Sequence, residues 1–136
     1  MDEMPIMRFL GIRIDVPQED GVYVSELEAT PETLNFLGIV HGAAIAALID
    51  HAGGYGASVL TGRGGPTSDL HIRYLGAAME GDILRAEARV QRAGRTLIVM
   101  DVRVTDSEGR LIAVADMALA PAGEQSSSEP ASVDLV

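Results

Sequence analysis

An apolar run at residues 43–49 constrains the fold of this chain more than any other segment. It consists of Ala, Ile and Leu, which favour a helix, and a helix that is apolar on every side is buried in a protein core. The run ends at an acid, Asp50. Burying a carboxylate is unfavourable unless the group is paired or its pKa shifts. An acid at the end of a buried helix therefore indicates a functional role for Asp50.

The helix should begin near His41 or Gly42, but its end is ambiguous. Glycines occupy positions 53, 54 and 56, and each costs about 1 kcal/mol relative to Ala in a helix interior. The helix could stop near Gly53, or it could continue to about Leu60 with the glycines packed closely against another backbone. We favour the longer helix because residues 55–60 remain largely apolar. The glycines are then expected to serve helix packing rather than ligand contact.

Alternating apolar and polar residues predict strands on both sides of this helix. Residues 9–16 and 22–27 flank a turn and predict a hairpin, and Thr30-Pro31 predicts the start of a short helical turn. Four further strands, joined by tight turns, are predicted to form an antiparallel meander: residues 67–75, 82–92, 96–105 and 110–120. A sheet that faces a single helix is expected to curl around it, which is an α+β fold with one central helix.

Length and composition limit the classes of protein that this chain can be. Its 136 residues suit one domain, which we expect to span residues 1–121. Residues 122–136 are rich in Ser, Glu and Pro, so we expect a disordered tail there. The net charge of −10 argues against nucleic-acid binding, which needs a basic face.

The sequence also favours a cytoplasmic protein without a membrane partner. No apolar run approaches the roughly 20 residues of a membrane span. The first residues lack the basic-then-apolar pattern of a signal peptide. The chain has no cysteine, so it can form neither disulfides nor thiolate metal sites.

The start of the predicted helix has the properties of an oxyanion hole. Its first N–H groups lack partners within the helix and carry a partial positive charge. Gly42 lets another molecule approach those groups closely, and fixed N–H donors stabilise charge that develops on a carbonyl oxygen. Asn35 could add an amide donor, position a water or only cap the loop. His41 could orient this loop or touch a substrate.

The spacing of Gly42 and Asp50 predicts a site shared between two chains. Asp50 follows Gly42 by eight residues, which is about 12 Å along a helix axis. A reacting atom has to lie within about 3 Å of both donor and base. The two groups of one helix cannot meet this condition. We therefore expect a homodimer with facing antiparallel helices, in which Gly42 of one subunit meets Asp50 of the other.

These residues together resemble a known family. Asn35, the pair His41-Gly42, Asp50 and the segment DLHIRYL at residues 69–75 are similar in order and spacing to the hotdog-fold thioesterases of the PaaI-like, phenylacetate-degradation branch. The resemblance covers about residues 9–120. The family usually has two glycines after the His, whereas this chain has Gly42-Ala43, and this difference bears on how closely a substrate can approach.

The resemblance implies a hotdog fold and an acyl-CoA thioesterase that is a homodimer, commonly paired into a homotetramer. Gly42 would polarise the thioester carbonyl with help from Asn35, and Asp50 of the partner chain would act as general base on water or as nucleophile. A hydroxyl at the head of the next strand would hold that water. Alignment within the strand makes this residue Thr67, whereas counting from Asp50 points to Ser68. We prefer Thr67 because alignment within a strand is firmer than alignment across a glycine loop.

Other residues are assigned less central roles. Substrate and CoA contacts are expected from Ser68, Asp69, Arg92 and Arg95, the arginines through the CoA phosphates. His51 and His71 are expected to be surface or packing residues. No metal or organic cofactor is expected, because water supplies the nucleophile and the histidines have no ligand spacing.

Two other functions remain open at this point. A hydratase or dehydratase on the same fold would need a His and an acid that converge on one carbon. A binding module for acyl-CoA or small aromatic molecules would retain its ligand without turnover.

Overall fold

The computed structural model describes residues 4–121, which form one antiparallel sheet and one long helix. The expected tail at residues 122–136 lies outside this range. The helices are α1 (Pro5–Leu10) and α2 (Gly42–Thr61), with a 3-10 turn at Pro31–Thr33, and the strands are β1 (Ile12–Arg13), β2 (Tyr23–Glu28), β3 (Thr67–Tyr74), β4 (Ile83–Ala93), β5 (Ile98–Thr105) and β6 (Leu111–Leu119).

Helix α2 is the centre of the fold and has the longer of the two predicted extents. It contacts every strand from β2 to β6. Its fully buried side chains Leu48 and Ile49 pack with Leu84, Met100 and Met117 of the sheet. The helix ends where Gly62 adopts a positive φ of 75°, a conformation that glycine reaches without steric cost.

The three glycines of α2 have different roles. A Cβ at position 53 would lie 2.0 Å from the sulfur of Met117, and one at position 56 would lie 3.0 Å from the Cβ of Tyr23. The packing role expected of Gly53 and Gly56 is therefore confirmed. For Gly54 the described chain shows no such role, because a Cβ there would meet only Leu119, at 3.8 Å, which is ordinary van der Waals contact.

The first predicted strand is mostly wrong. Residues 5–10 form α1, which starts with a proline at its first position and ends at Gly11 with a φ of 75°. Only Ile12–Arg13 pairs with β2, as the predicted hairpin requires. Proline at the first helical position and glycine at the end are ordinary helix signals. Apolar and polar residues alternate at positions 12–16, and this pattern led to a strand prediction that extended over the helix.

The sheet has the strand order β1-β2-β4-β5-β6-β3. Strands β4, β5 and β6 form the predicted meander, but β3 does not join it beside β4. It pairs instead with β6 and forms the edge of the sheet. Inward-facing Leu70 and Ile72 of β3 lie opposite Met117 and Ala115 of β6. This placement extends the sheet along α2. The alternation within β3 predicts a strand but does not predict which strand pairs with it.

The length and hydropathy of α2 bear on the expectation that no apolar run approaches the length of a membrane span. At 20 residues it is long and apolar enough to cross a membrane by composition alone. Eight of its residues are buried within the protein, and the core helix of a soluble fold has the same composition. The apolar character of α2 is thus explained by its own sheet.

Candidate active site

His41 caps the first turn of α2. Its Nδ1 accepts a hydrogen bond from the N–H of Ala43 at 2.9 Å, and its carbonyl accepts from the N–H groups of Ala44 and Ile45. The imidazole therefore holds the helix start in place, which is one of the two roles considered for it. Among residues 4–121, the N–H of Gly42 has no acceptor. This donor at the positive end of α2 is available to an external oxygen atom.

Tyr74 fixes Gly42 from the side of the sheet. Its hydroxyl donates to the Gly42 carbonyl at 3.0 Å, and its ring lies 3.4 Å from the place where a Cβ of residue 42 would be. The segment DLHIRYL was noted in the sequence, but this contact between its tyrosine and the helix start was not predicted. Tyr74 therefore joins the far end of β3 to the first turn of α2.

Asn35 shapes the loop that leads to this helix start. Its Oδ1 accepts from the N–H groups of Leu37 and Ile39, at 2.9 and 3.3 Å. The side chain is thus a loop cap, one of the three roles considered for it. No hydrogen bond within residues 4–121 uses its NH₂ group, which leaves that donor free to act on a ligand.

Asp50 and Thr67 meet where α2 passes the start of β3. The Thr67 hydroxyl donates to Asp50 Oδ1 at 2.8 Å. A β-bulge between Thr67 and Asp69 changes the register, so that Thr67 lies opposite the buried Leu119 and faces α2. The hydroxyl of Ser68 instead donates to the carbonyl of Ala118 at 3.1 Å. Of the two hydroxyl candidates, the structure brings Thr67 to the acid.

The expectation that Asp50 is buried is wrong for the single chain. Asp50 is exposed, because it lies at the margin of the side of α2 that the sheet leaves uncovered, where the edge strand β3 reaches it through Thr67. Gly42 and Asp50 belong to one continuous helix, so their separation of about 12 Å along the axis remains. Neither residue can complete a site with the other within one protomer.

A cleft of about 370 Å³ opens beside Asp50. One wall is the uncovered face of α2, including His51, Gly54 and Tyr55, and the other wall comes from α1 and the start of β1. His51 stacks on Tyr55 with ring centroids 5.5 Å apart. Its Nε2 lies 3.3 Å from the hydroxyl of Tyr23. His51 thus has the packing role expected of it and also contacts Tyr23. The i, i+4 spacing of His51 and Tyr55 along α2 was the sequence signal for their stacking.

Burial shifts the pKa values of His51 and Tyr23. It lowers the pKa of His51, against the opposing effect of the neighbouring Asp50 carboxylate. Burial, together with nearby Tyr55, raises the pKa of Tyr23 to about 12. At neutral pH the imidazole is therefore uncharged and the phenol keeps its proton.

Two of the residues expected to contact CoA, Asp69 and Arg92, lie on the outer face of the sheet. Asp69 and Arg92 belong to one row across β3, β6, β5 and β4, and three strand spacings place their backbones about 14 Å apart. Arg95 is exposed at the β4–β5 turn. A further arginine, Arg63, donates to the carbonyl of Gly94 at 2.7 Å. Two strands, β5 and β6, thus lie between Asp69 and Arg92, and the structure does not bring these two residues together.

Comparison with known proteins identifies the family. A sequence model of the thioesterase superfamily matches residues 37–113, which include the start of α2, Asp50 and Thr67. The chain belongs to the thioesterase superfamily. This thioesterase is 32% identical to human acyl-coenzyme A thioesterase 13 over 109 residues, which cover 78% of this chain and 77% of the human protein.

Solved structures agree with this assignment. A hypothetical thioesterase protein from Streptococcus pneumoniae, solved with coenzyme A, has a TM-score of 0.77 at 30% identity, and the match covers 87% of this chain and 94% of that protein's chain. The same protein was solved with an aspartate or a threonine replaced by alanine. The E. coli PaaI protein, at a TM-score of 0.81 and 24% identity over 90% of this chain and 87% of its own, has the same fold. The hotdog fold and the thioester hydrolase activity expected from the resemblance are both confirmed.

Proposed function

We propose that this thioesterase hydrolyses acyl-CoA thioesters to a carboxylic acid and CoA, with Asp50 as the general base. The observation that carries the proposal is the hydrogen bond from Thr67 to Asp50 on the uncovered face of α2. One carboxylate oxygen is held by Thr67, which leaves the other to accept a proton from water. A base within hydrogen-bond reach of its proton is the geometric requirement of such catalysis.

In the proposed reaction, water loses a proton to Asp50 as its oxygen attacks the thioester carbonyl carbon. The carbonyl oxygen becomes an oxyanion, which the free N–H of Gly42 stabilises at the start of α2. When the carbon–sulfur bond breaks, the CoA thiolate leaves and the proton held by Asp50 returns to it. The amide of Asn35 is a second donor to the oxyanion, and the cap made by His41 keeps the N–H of Gly42 in position.

This chemistry requires a second chain, because Gly42 and Asp50 of one helix are too far apart. Strand β3 is a candidate contact, since it forms the eight-residue edge of the sheet and pairs only with β6 within the described chain. Long edge strands are usually paired or covered. Phe36 and Leu37, beside the start of α2, are 95% and 68% exposed. A homodimer through β3 would cover apolar surface near the site. Its pairing into a tetramer stays a prediction, as does the cytoplasmic location.

The relatives support the acyl-CoA substrate. The human relative is named an acyl-coenzyme A thioesterase, and the S. pneumoniae relative has been solved with coenzyme A. The aspartate and the threonine that were replaced in that protein are the residue types of Asp50 and Thr67. Arg92 and Arg95 are proposed to contact the CoA phosphates, and Ser68 and Asp69 the remainder of the substrate.

The test is a thiol-trapping assay over a panel of aromatic and aliphatic acyl-CoAs. Wild type is expected to release CoA from at least one of them, and Asp50→Asn, which keeps the shape of the side chain, should lower kcat about 100-fold or more. Gly42→Pro removes the N–H at a first helical position that tolerates proline. It should lower kcat about 100-fold.

The matched control is Gly42→Ala, which adds a Cβ but keeps the N–H. It should retain far more activity than Gly42→Pro, since the Cβ lies at ordinary contact distance from the Tyr74 ring. Binding of acyl-CoA without thiol release by wild type would contradict hydrolysis and favour the binding module. Equal activity of Gly42→Pro and Gly42→Ala would show that the reaction does not use the N–H of Gly42.

A further inference from the structure

The cleft beside Asp50 has one polar and one apolar wall. One helical stripe of α2 lies along it, formed by residues 47, 50, 51, 54, 55 and 58. The opposite wall consists of Met4, Ile6, Met7 and Ile12. The stripe extends from Asp50 to Ser58, about 12 Å along the helix axis. An extended group attached to a carbonyl at Asp50 would therefore have apolar side chains on one side and polar atoms on the other.

Gly54 forms the floor of this cleft, and nothing in the packing of the fold requires it to be glycine. A Cβ there would have only Leu119 nearby, at 3.8 Å. A glycine in a helix interior costs about 1 kcal/mol relative to Ala. Within the described chain, the glycines at 53 and 56 have a packing reason for this cost, whereas Gly54 has none. Its effect is to keep the cleft open in the middle of the stripe.

His51 lines the cleft, and one of its two ring nitrogens has no hydrogen-bond partner within residues 4–121. Tyr23 has no other acceptor for its hydroxyl proton within residues 4–121, so its proton is satisfied when it donates to Nε2. The proton of the neutral ring is then on Nδ1. Nδ1 has no protein partner in the described chain and is not among its buried unsatisfied atoms, so it retains accessible surface. Stacking on Tyr55 keeps the ring in this orientation.

We propose that this cleft receives the acyl group of the thioester, and that His51 selects acyl groups that carry an oxygen acceptor on an otherwise apolar chain. The hydroxyl or keto oxygen of such a group accepts from Nδ1–H, while the carbon chain lies against α1. Tyr23 is a positioning residue, because it holds the ring and its tautomer. This inference rests on the proposed function, since the acyl-CoA substrate places the carbonyl at Asp50.

The experiment measures binding rather than turnover. The probes are 2-oxoalkyl-CoA thioethers, in which a methylene separates sulfur from the carbonyl so that no hydrolysis occurs. One probe has a plain eight-carbon chain, and the others carry a hydroxyl at one of carbons 3 to 7. We expect wild type to bind the best hydroxylated probe about 3- to 10-fold more tightly than the plain probe, because this is the effect of one neutral hydrogen bond of ordinary net strength. Calorimetry measures both affinities.

The decisive variant is the double substitution Tyr23→Phe/His51→Phe. It keeps the aromatic packing, removes the Nδ1 donor and leaves no unpaired phenol hydroxyl, so the protein is expected to fold. The affinity ratio should fall to about 1. His51→Gln retains an N–H donor and should keep a ratio of about 2 or more. The control is His71→Phe, the same change at an exposed position of β3, which should leave the ratio unchanged.

The outcomes separate this inference from the proposed function. A ratio of 1 for wild type at every hydroxyl position, a ratio that persists in the double variant, or no binding of any probe would overturn the inference. If wild type hydrolyses acyl-CoA but shows no preference, only the inference fails. If the preference is present and no acyl-CoA is hydrolysed, the proposed function fails and the binding role of His51 stands.

Discussion

Thr67 and Asp50 are 17 residues apart in the chain, and the hydroxyl of the first donates to the carboxylate of the second at 2.8 Å. The contact joins the edge strand β3 to the uncovered face of α2. It depends on the bulge that turns Thr67 toward the helix. Because the edge strand is also the proposed dimer contact, pairing of two subunits and orientation of the proposed base would depend on the same strand.

Removing the hydroxyl of Thr67 should impair catalysis more than binding. Thr67→Val keeps the shape of the side chain but leaves Asp50 without its donor, so the carboxylate loses its fixed orientation. We expect kcat for the best acyl-CoA substrate to fall about 10-fold or more with little change in KM. Thr67→Ser should restore much of kcat. Thr105→Val, the same change on β5, is the control. An unchanged kcat in Thr67→Val would exclude this orienting role.

Mixing two inactive variants should restore activity if the site is shared. An Asp50→Asn subunit still supplies the N–H of Gly42, and a Gly42→Pro subunit still supplies the carboxylate of Asp50. A heterodimer of the two therefore has one intact site out of two. Co-refolded in equal amounts with random pairing, they should regain about one quarter of wild-type activity. Each variant refolded alone gives the baseline, and a mixture that stays at this baseline would argue for sites within single chains.

Two neighbouring glycines of α2 should respond oppositely to alanine. Gly54→Ala has room for its Cβ and should raise the free energy of unfolding by about 0.5–1 kcal/mol through helix propensity. Gly56→Ala places its Cβ 3.0 Å from the Cβ of Tyr23, an atom that cannot move without the backbone. It should lower stability by about 1–3 kcal/mol. Urea unfolding measures both, and a loss of stability in Gly54→Ala would contradict the open cleft.

Stability should decrease on acidification through the titration of His51. Its pKa in the folded protein is lowered, mainly by burial, so below the ordinary value of about 6.5 the unfolded chain binds more protons. The contribution of His51 is complete above that pH and is lost as pH falls toward the folded value. The free energy of unfolding should fall between about pH 7.5 and 5.5. The slope should be smaller in His51→Phe than in wild type. Equal slopes in wild type and His51→Phe would refute this protonation difference.

The arginines at the β4–β5 turn should affect affinity for CoA. Arg95→Ala removes an exposed cation that is proposed to bind a phosphate, which should raise KM for acyl-CoA about 3- to 10-fold with kcat unchanged. The effect should shrink for dephospho-CoA thioesters if the 3′-phosphate is the contact. Arg103→Ala, on the outer face of β5, is the control. Identical KM values in Arg95→Ala and wild type would remove this contact.

The sequence by itself determined the central helix and the residue types at its start. The apolar run at 43–49, with Gly42 before it and Asp50 after it, was sufficient because burial of an apolar helix and its polar ends are local properties of composition. Alternation likewise identified β3 to β6, since side chains on a strand repeat every second residue. The spacing of Gly42 and Asp50 also excluded a site within one helix.

Tertiary structure alone decided which elements are neighbours. Strand β3 lies beside β6 because pairing depends on how the chain passes around α2, and alternation carries no such information. The exposure of Asp50 follows from the side of α2 that the sheet leaves uncovered. The choice of Thr67 over Ser68 follows from a single bulge. The cleft with His51 and Gly54 exists because α1 crosses that open side, and contacts between such distant segments have no local signature in the sequence.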